Sequence, residues 1–211
     1  MTSTTDPGGD FGRGGRLPRS ARRKQLLAAA QEVFVANGYH AAAMDDIAER
    51  AGVSKPVLYQ HFPGKLELYL ALLDMQTEML ANAVQGALDA TVDNAERIHG
   101  VLNAFFDFVD RDGHDGAFRL IFETDLGNDP AVKARVDGVM SKTMEAVAHT
   151  VAADTGLDTA RAQLLATALT GAAQIVARWW LASDRPIPQT EAVQLLEGLM
   201  WRGISNFPLH A

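Results

Sequence analysis

Apolar residues recur along this chain at intervals of three and four, the spacing that lines one face of an α-helix, and no stretch shows the period-two alternation of a half-buried strand. Over residues 19–37, Leu26, Leu27, Ala30, Val33 and Phe34 share one side, and Asn37-Gly38 ends the segment. Ile47, Ala48 and Ala51 make the inward stripe of a short second helix, with Asp45, Asp46, Glu49 and Arg50 facing out. Ala51-Gly52-Val53 breaks that helix. Ser54 is placed to cap a third, and Pro56 is tolerated in its first turn, where the missing N–H would have no helical partner. Leu58 and Phe62 then lie on one face of the third helix, while Pro56, Tyr59 and Gln60 point away. The three helices can share a core of Leu27, Phe34, Ile47, Leu58 and Phe62, with Tyr39 as its cover.

Pro63-Gly64-Lys65 starts a fourth, long helix that the pattern carries to about residue 90, a rod on the order of 40 Å at 1.5 Å per residue. Asp93 and Glu96 have the spacing of a capping box for a fifth helix ending near Asp110. A shorter sixth is expected over 117–126. Asp129-Pro130 opens a seventh that Gly156 closes, and Asp158 caps an eighth running to about residue 183. A ninth is expected over 189–206. The last two are apolar on more than one side, through Leu164, Leu165, Ile175, Trp179 and Trp180, then Leu195, Leu196, Leu199 and Trp201. A helix too broadly apolar for one contact needs two partners, so these are expected to form a four-helix seam between the protomers of a homodimer.

Two helices joined by a short glycine-containing turn form either an ordinary helical hairpin or a helix-turn-helix, whose second helix enters the DNA major groove. Charge bears on that choice. The net charge of −7 is divided unevenly: residues 1–65 hold nine Lys/Arg against six Asp/Glu, and residues 66–211 hold ten against twenty. Positive charge is thus concentrated beside the candidate reading helix, where it attracts phosphates. The expected organisation is a basic arm poor in buriable residues over 1–18, a helix-turn-helix domain over 19–65 and an acidic helical domain over 66–211. Cysteine is absent, which removes disulfides, thiolate catalysis and cysteine-bound zinc. With no long apolar run and no secretory signal, a cytoplasmic location is expected.

The string MDDIAERAGVSKPVLYQHFPGKLELYLALL, from Met44, resembles the TetR family of transcriptional regulators, strongly over residues 26–73 and elsewhere by helix count and length. The resemblance implies an all-α, nine-helix, Ω-shaped dimer with an N-terminal DNA-binding domain and a C-terminal domain for ligand binding and dimerisation. Carried over by position, Lys55, Pro56 and Val57 match residues that face the major groove, and Tyr59, His61 and Lys65 match residues that touch phosphates. Met44, Ser54 and Gln60 complete the expected DNA-binding set. Val57 suits a thymine methyl and Gln60 an adenine edge. Ala43 stands where relatives often place a capping threonine that also meets a phosphate. No arginine lies on the reading helix, which weakens guanine recognition and gives DNA shape a larger share.

Enzymatic readings find little support in the sequence. Glu96 with His99, and Glu145 with His149, lie a helical turn apart, but a di-metal bundle site needs two Glu-x-x-His motifs and two further Glu, so no metal and no cofactor are expected. The aromatic and thioether group Phe105, Phe106, Phe108, Phe118, Phe122, Met140, Met144, Trp179 and Trp180 suits either core packing or a pocket for an apolar effector. The function expected is a ligand-responsive repressor that binds a palindromic operator as a dimer and is released by an apolar effector. The rival is a helical carrier or di-metal enzyme without DNA binding.

Overall fold

The computed structural model describes residues 17–110, 126 and 128–203, and within them the chain is helical without strands. The helices are α1 (Arg19–Ala41), α2 (Met44–Arg50), α3 (Lys55–His61), α4 (Lys65–Asp89), α5 (Asn94–Val109), α6 (Pro130–Thr155), α7 (Thr159–Ala182) and α8 (Gln189–Arg202). The further helix expected over 117–126 falls almost wholly outside the described residues, as do residues 1–16 of the arm expected over 1–18 and residues 204–206 of the last expected helix.

Local chemistry sets these boundaries. Gly38 sits inside the span of α1 with φ 73° and ψ 166°, so the regular helix stops where Asn37-Gly38 was expected to end it, and one further turn follows. Gly52 takes φ 64° after α2; its N–H donates to Glu49 O and that of Val53 to Ala48 O, the paired closure of a helix by a left-handed residue. Asp93 Oδ1 accepts from the N–H groups of Ala95 and Glu96, and Asp129 Oδ1 from those of Ala131 and Val132, at 2.8–3.2 Å. The reciprocal half of the expected capping box is absent. Glu96 instead accepts from the Thr91 hydroxyl at 2.7 Å, and that hydroxyl takes the Asp93 N–H. Ser54 stands at the N-cap of α3 in extended conformation, but its hydroxyl makes no capping bond; only its carbonyl engages the helix, through Val57 and Leu58.

One long helix, α1, and two short ones, α2 and α3, form the first unit. α1 packs on α2 and α4, and α2 on α3. Leu26, Phe34, Ile47, Leu58 and Phe62 are all buried there, and Tyr39 stacks on Phe34 at 5.9 Å and meets Tyr69 of α4 edge-on at 5.2 Å. α4 then leads into the second unit, where α5 and α6 pack on it, α7 packs on α5 and α6, and α8 on α5. One apolar core runs without interruption through both units, which makes α4 a common wall. Alanines at 162, 166, 173 and 177 give α7 a narrow buried face against its neighbours. Among the described residues no helix is long and apolar enough to cross a membrane.

Candidate functional site

The outward face of α3 follows from what the helix buries. Leu58 and Phe62 are sealed in the core, so at 100° per residue Ser54, Lys55, Pro56, Tyr59 and Gln60 stand exposed, with Val57 and His61 half-buried at the edge. Tyr59 leaves 47% of its surface open although it is a large aromatic ring. Lys55 Nζ lies 2.5 Å from Asp45 Oδ2 of α2, and that hydrogen bond, ahead of the plain charge attraction, raises the ammonium above its ordinary range. Arg50 of α2 is paired with Glu32 of α1.

Two residues of the expected set face elsewhere. Met44 begins α2 and packs half-buried against the core. Lys65 sends its ammonium to the carbonyl oxygens of Tyr39, His40 and Ala42 at 2.8, 3.1 and 2.9 Å, and over the Tyr39 ring at 4.6 Å. It therefore caps the chain leaving α1. A cation inside this seam satisfies carbonyls that the kink at Gly38 leaves without helical partners. Ala43 is the N-cap of α2 and offers no side-chain bond to it.

Residues outside the expected set complete this surface. Asp45 orients Lys55, while Leu17, Arg19 and Arg22 join Val57, Gln60 and His61 around a polar cleft of about 420 Å³. The basic run Arg19, Arg22, Arg23 was visible in the sequence, but its approach to the end of α3 depends on how α1 crosses the unit. Partial burial, then Arg19, Arg23 and Arg22 in that order, hold the His61 imidazole below its ordinary range.

An apolar cavity of about 320 Å³ opens in the second unit between α4, α5, α6, α7 and α8. Leu88, Ile98, Val101, Leu102, Val147, Val151, Leu165, Leu169, Met200 and Trp201 supply its walls, and Arg97, Asp154 and Asn94 one polar margin. Arg97 donates to Leu88 O, Thr91 O and Asn94 Oδ1, and its Nη1 lies 2.5 Å from Asp154 Oδ2, so it ties α4, α5 and α6 together.

The rings expected to line a pocket lie elsewhere. Phe105, Phe106 and Phe108 are sealed in the core, Phe106 meeting Trp180 edge-on at 5.4 Å, and Trp180 Nε1 donates to Ile187 O. Trp179 is 58% exposed on the outside of α7. Met140 and Met144 are half-buried on α6 away from the cavity, and Phe118 and Phe122 lie outside the described residues. The described phenylalanines of this set and Trp180 fill the space between helices; apart from Trp201 and Met200, the apolar cavity wall is mostly aliphatic, with Ile98, Val101 and Leu102 at i, i+3 and i+4 on α5, a signal present in the sequence. Of the groups considered for a metal, Glu96 bonds Thr91, and His99 Nδ1 lies 2.7 Å from Glu197 Oε2 of α8. Glu145 and His149 are exposed, and no cluster of three His, Asp or Glu suited to a metal occurs among the described residues.

Comparison with known proteins bears directly on this pairing of an exposed reading helix with a helical cavity domain. Residues 26–72 match the model of the bacterial regulatory proteins of the tetR family, and residues 94–203 match the tetracyclin repressor-like C-terminal domain. The chain belongs to the TetR family of transcriptional regulators. This TetR-family regulator is similar to the HTH-type transcriptional activator FasR of Mycolicibacterium smegmatis, with 48% identity over 203 residues covering 96% of this chain and 92% of that protein. Its fold is similar to a TetR-like transcriptional regulator from Rhodococcus sp. RHA1, with a TM-score of 0.69 at 32% identity, over 90% of this chain and 99% of that one. The fold alone is also similar to FadR from Bacillus subtilis, solved in complex with stearoyl-CoA, with a TM-score of 0.71 at 17% identity over 86% of this chain and 98% of that one.

Proposed function

We propose that this TetR-family regulator binds a two-fold operator as a homodimer, reads it with the outward face of α3, and acts in the cytoplasm as a transcriptional activator whose DNA affinity is set by an apolar effector in the α4–α8 cavity. The observation that carries the DNA reading is α3 itself. It buries Leu58 and Phe62 and turns Lys55, Pro56, Tyr59 and Gln60 to solvent, in the half of the chain where positive charge exceeds negative. Lys55 and Tyr59 suit phosphates, which fix register, and Val57 and Gln60 suit base edges. The sign of regulation follows the relative named as an activator, in place of the repression expected from the sequence.

Dimerisation is supported by apolar surface that the protomer leaves open on α7 and α8: Leu164, Leu165, Ile175, Trp179, Leu195, Leu199 and Trp201. Exposed apolar residues gathered on two helices in this way are what an association surface requires. A dimer would present both copies of α3 about 34–36 Å apart, one turn of DNA. Coupling to the cavity has two carriers. α4 starts at Lys65 against the end of α1 and reaches the cavity wall at Leu88, and α6 runs from the cavity at Val151 to Arg135, which is paired with Asp74 of α4 at 2.8 Å. An effector that fits one spacing of the two α3 copies better than another shifts the population of dimers.

Fluorescence anisotropy on DNA from upstream of the chain's own gene tests the reading. A phosphate-binding dimer must lose affinity steeply with salt, the logarithm of the binding constant falling linearly with that of the salt concentration. Absence of binding at low salt would reject DNA recognition. Transcription from the bound promoter with purified polymerase, rising or falling on addition of the protein, decides the sign.

A further inference from the structure

The cleft between the first turn of α1 and the end of α3 gathers cations that no carboxylate of the described residues compensates. On α2 and the start of α3 the exposed cations Arg50 and Lys55 each hold a carboxylate. Around the cleft, among the described residues, none of Arg19, Arg22 and Arg23 does: Arg22 Nη1 donates to the neutral amide of Gln25 at 2.8 Å, and Arg23 lies over the Phe62 ring at 4.4 Å. His61 forms the floor. The charged groups acting on it are Arg19, Arg23 and Arg22 of α1, and α2, α3 and α4 set no acid against it.

We infer that the DNA backbone phosphate expected at His61 from its position in the family motif sits in this cleft with Arg19 and Arg22 as further clamps, and that His61 takes up a proton as the phosphate enters. The inference rests on the DNA-binding reading above and adds a regulated contact to it. In the free protein, partial burial and three guanidinium groups favour the neutral imidazole, which has one N–H to donate. An arriving phosphate brings the missing negative charge, offsets the arginine field and accepts a hydrogen bond from the ring, all of which favour the imidazolium. The proton comes from solvent and ends on the ring nitrogen left bare. Because the bound state then holds more protons than the free one, affinity must rise as pH falls between the His61 pKa in the complex and that in the free protein. The rise is at most about tenfold per pH unit for each protomer. Val57 and Gln60 on the same rim keep the phosphate in register with the bases that α3 faces.

Titration calorimetry of the full-length protein with its upstream DNA near neutral pH, repeated in buffers of different ionisation enthalpy, counts the protons. Wild type is expected to take up a fraction of a proton, up to one, per protomer. His61→Gln is expected to bind more weakly at low pH and to take up none, its affinity flat from about pH 8 to about pH 6. Arg19→Ala with Arg22→Ala is expected to flatten the salt slope by roughly one to two and to weaken all DNA sequences alike. Zero uptake by wild type, uptake unchanged in His61→Gln, or an unaltered salt slope in the arginine variant would each overturn the clamp while leaving DNA recognition by α3 intact. No binding of DNA by wild type would overturn the recognition reading itself, and the clamp with it.

Discussion

Lysines 55 and 65 show how much a residue's role depends on where its charge is satisfied. Both fall in the basic half, but Lys55 stands in solvent against a single exposed carboxylate, while Lys65 is folded onto three carbonyl oxygens. An exposed ion pair is weak and exchangeable, so Lys55 can pass from Asp45 to a nucleic-acid partner. Lys65 cannot leave without exposing three acceptors. Replacing it with methionine, which keeps the apolar stem over Tyr39 and removes every donor, is expected to lower stability by about 2 kcal/mol. Urea denaturation measures that loss, and a midpoint equal to wild type would show that water replaces the ammonium without cost. Family position pointed to a phosphate contact for this lysine, whereas its inward bonds required the carbonyls of residues 39–42 to be turned toward it.

At the scale of elements, the sequence was most informative where side chains act on their own backbone. Asp93, Asp129 and Asp158 accept N–H groups at the starts of α5, α6 and α7, and glycines 38, 52 and 156 take the positive φ that ends a helix or kinks it. The Glu96 half of the capping box is replaced by the Thr91 hydroxyl, which takes the Asp93 N–H and donates to Glu96. Gly52 lets the turn be tested alone. Its φ is 64° and a Cβ there would meet nothing within 4 Å, so Gly52→Ala adds no clash and only the left-handed penalty of roughly 1–2 kcal/mol. Thermal unfolding is expected to show that loss, and DNA binding is expected to weaken alongside, since this turn sets the angle between α2 and α3. Wild-type unfolding in the variant would mean that the turn can relax.

For the whole molecule, what remains outside the core matters as much as what fills it. Ile175 and Trp179 keep 70% and 58% of their surfaces exposed one helical turn apart on α7, a placement that one protomer does not explain. Under the dimer proposed above, Ile175→Glu is expected to leave the protomer folded, because the residue packs on little within it, and to shift sedimentation to the monomer. Affinity for a two-fold operator should fall with it. A variant that sediments as wild type would move the seam away from this face. The sequence by itself determined the helical class, most helix boundaries, the inward residues of the first three helices and the exposed apolar stripe, because these follow from local capping and from a period of 3.6 residues. Only the tertiary structure decided that the phenylalanines fill core while aliphatics line the cavity, that Lys65 faces inward, and that arginines at the start of α1 reach His61, forty residues away. Those outcomes depend on which helices cross and how closely, and periodicity tells which face is buried without telling what it is buried against.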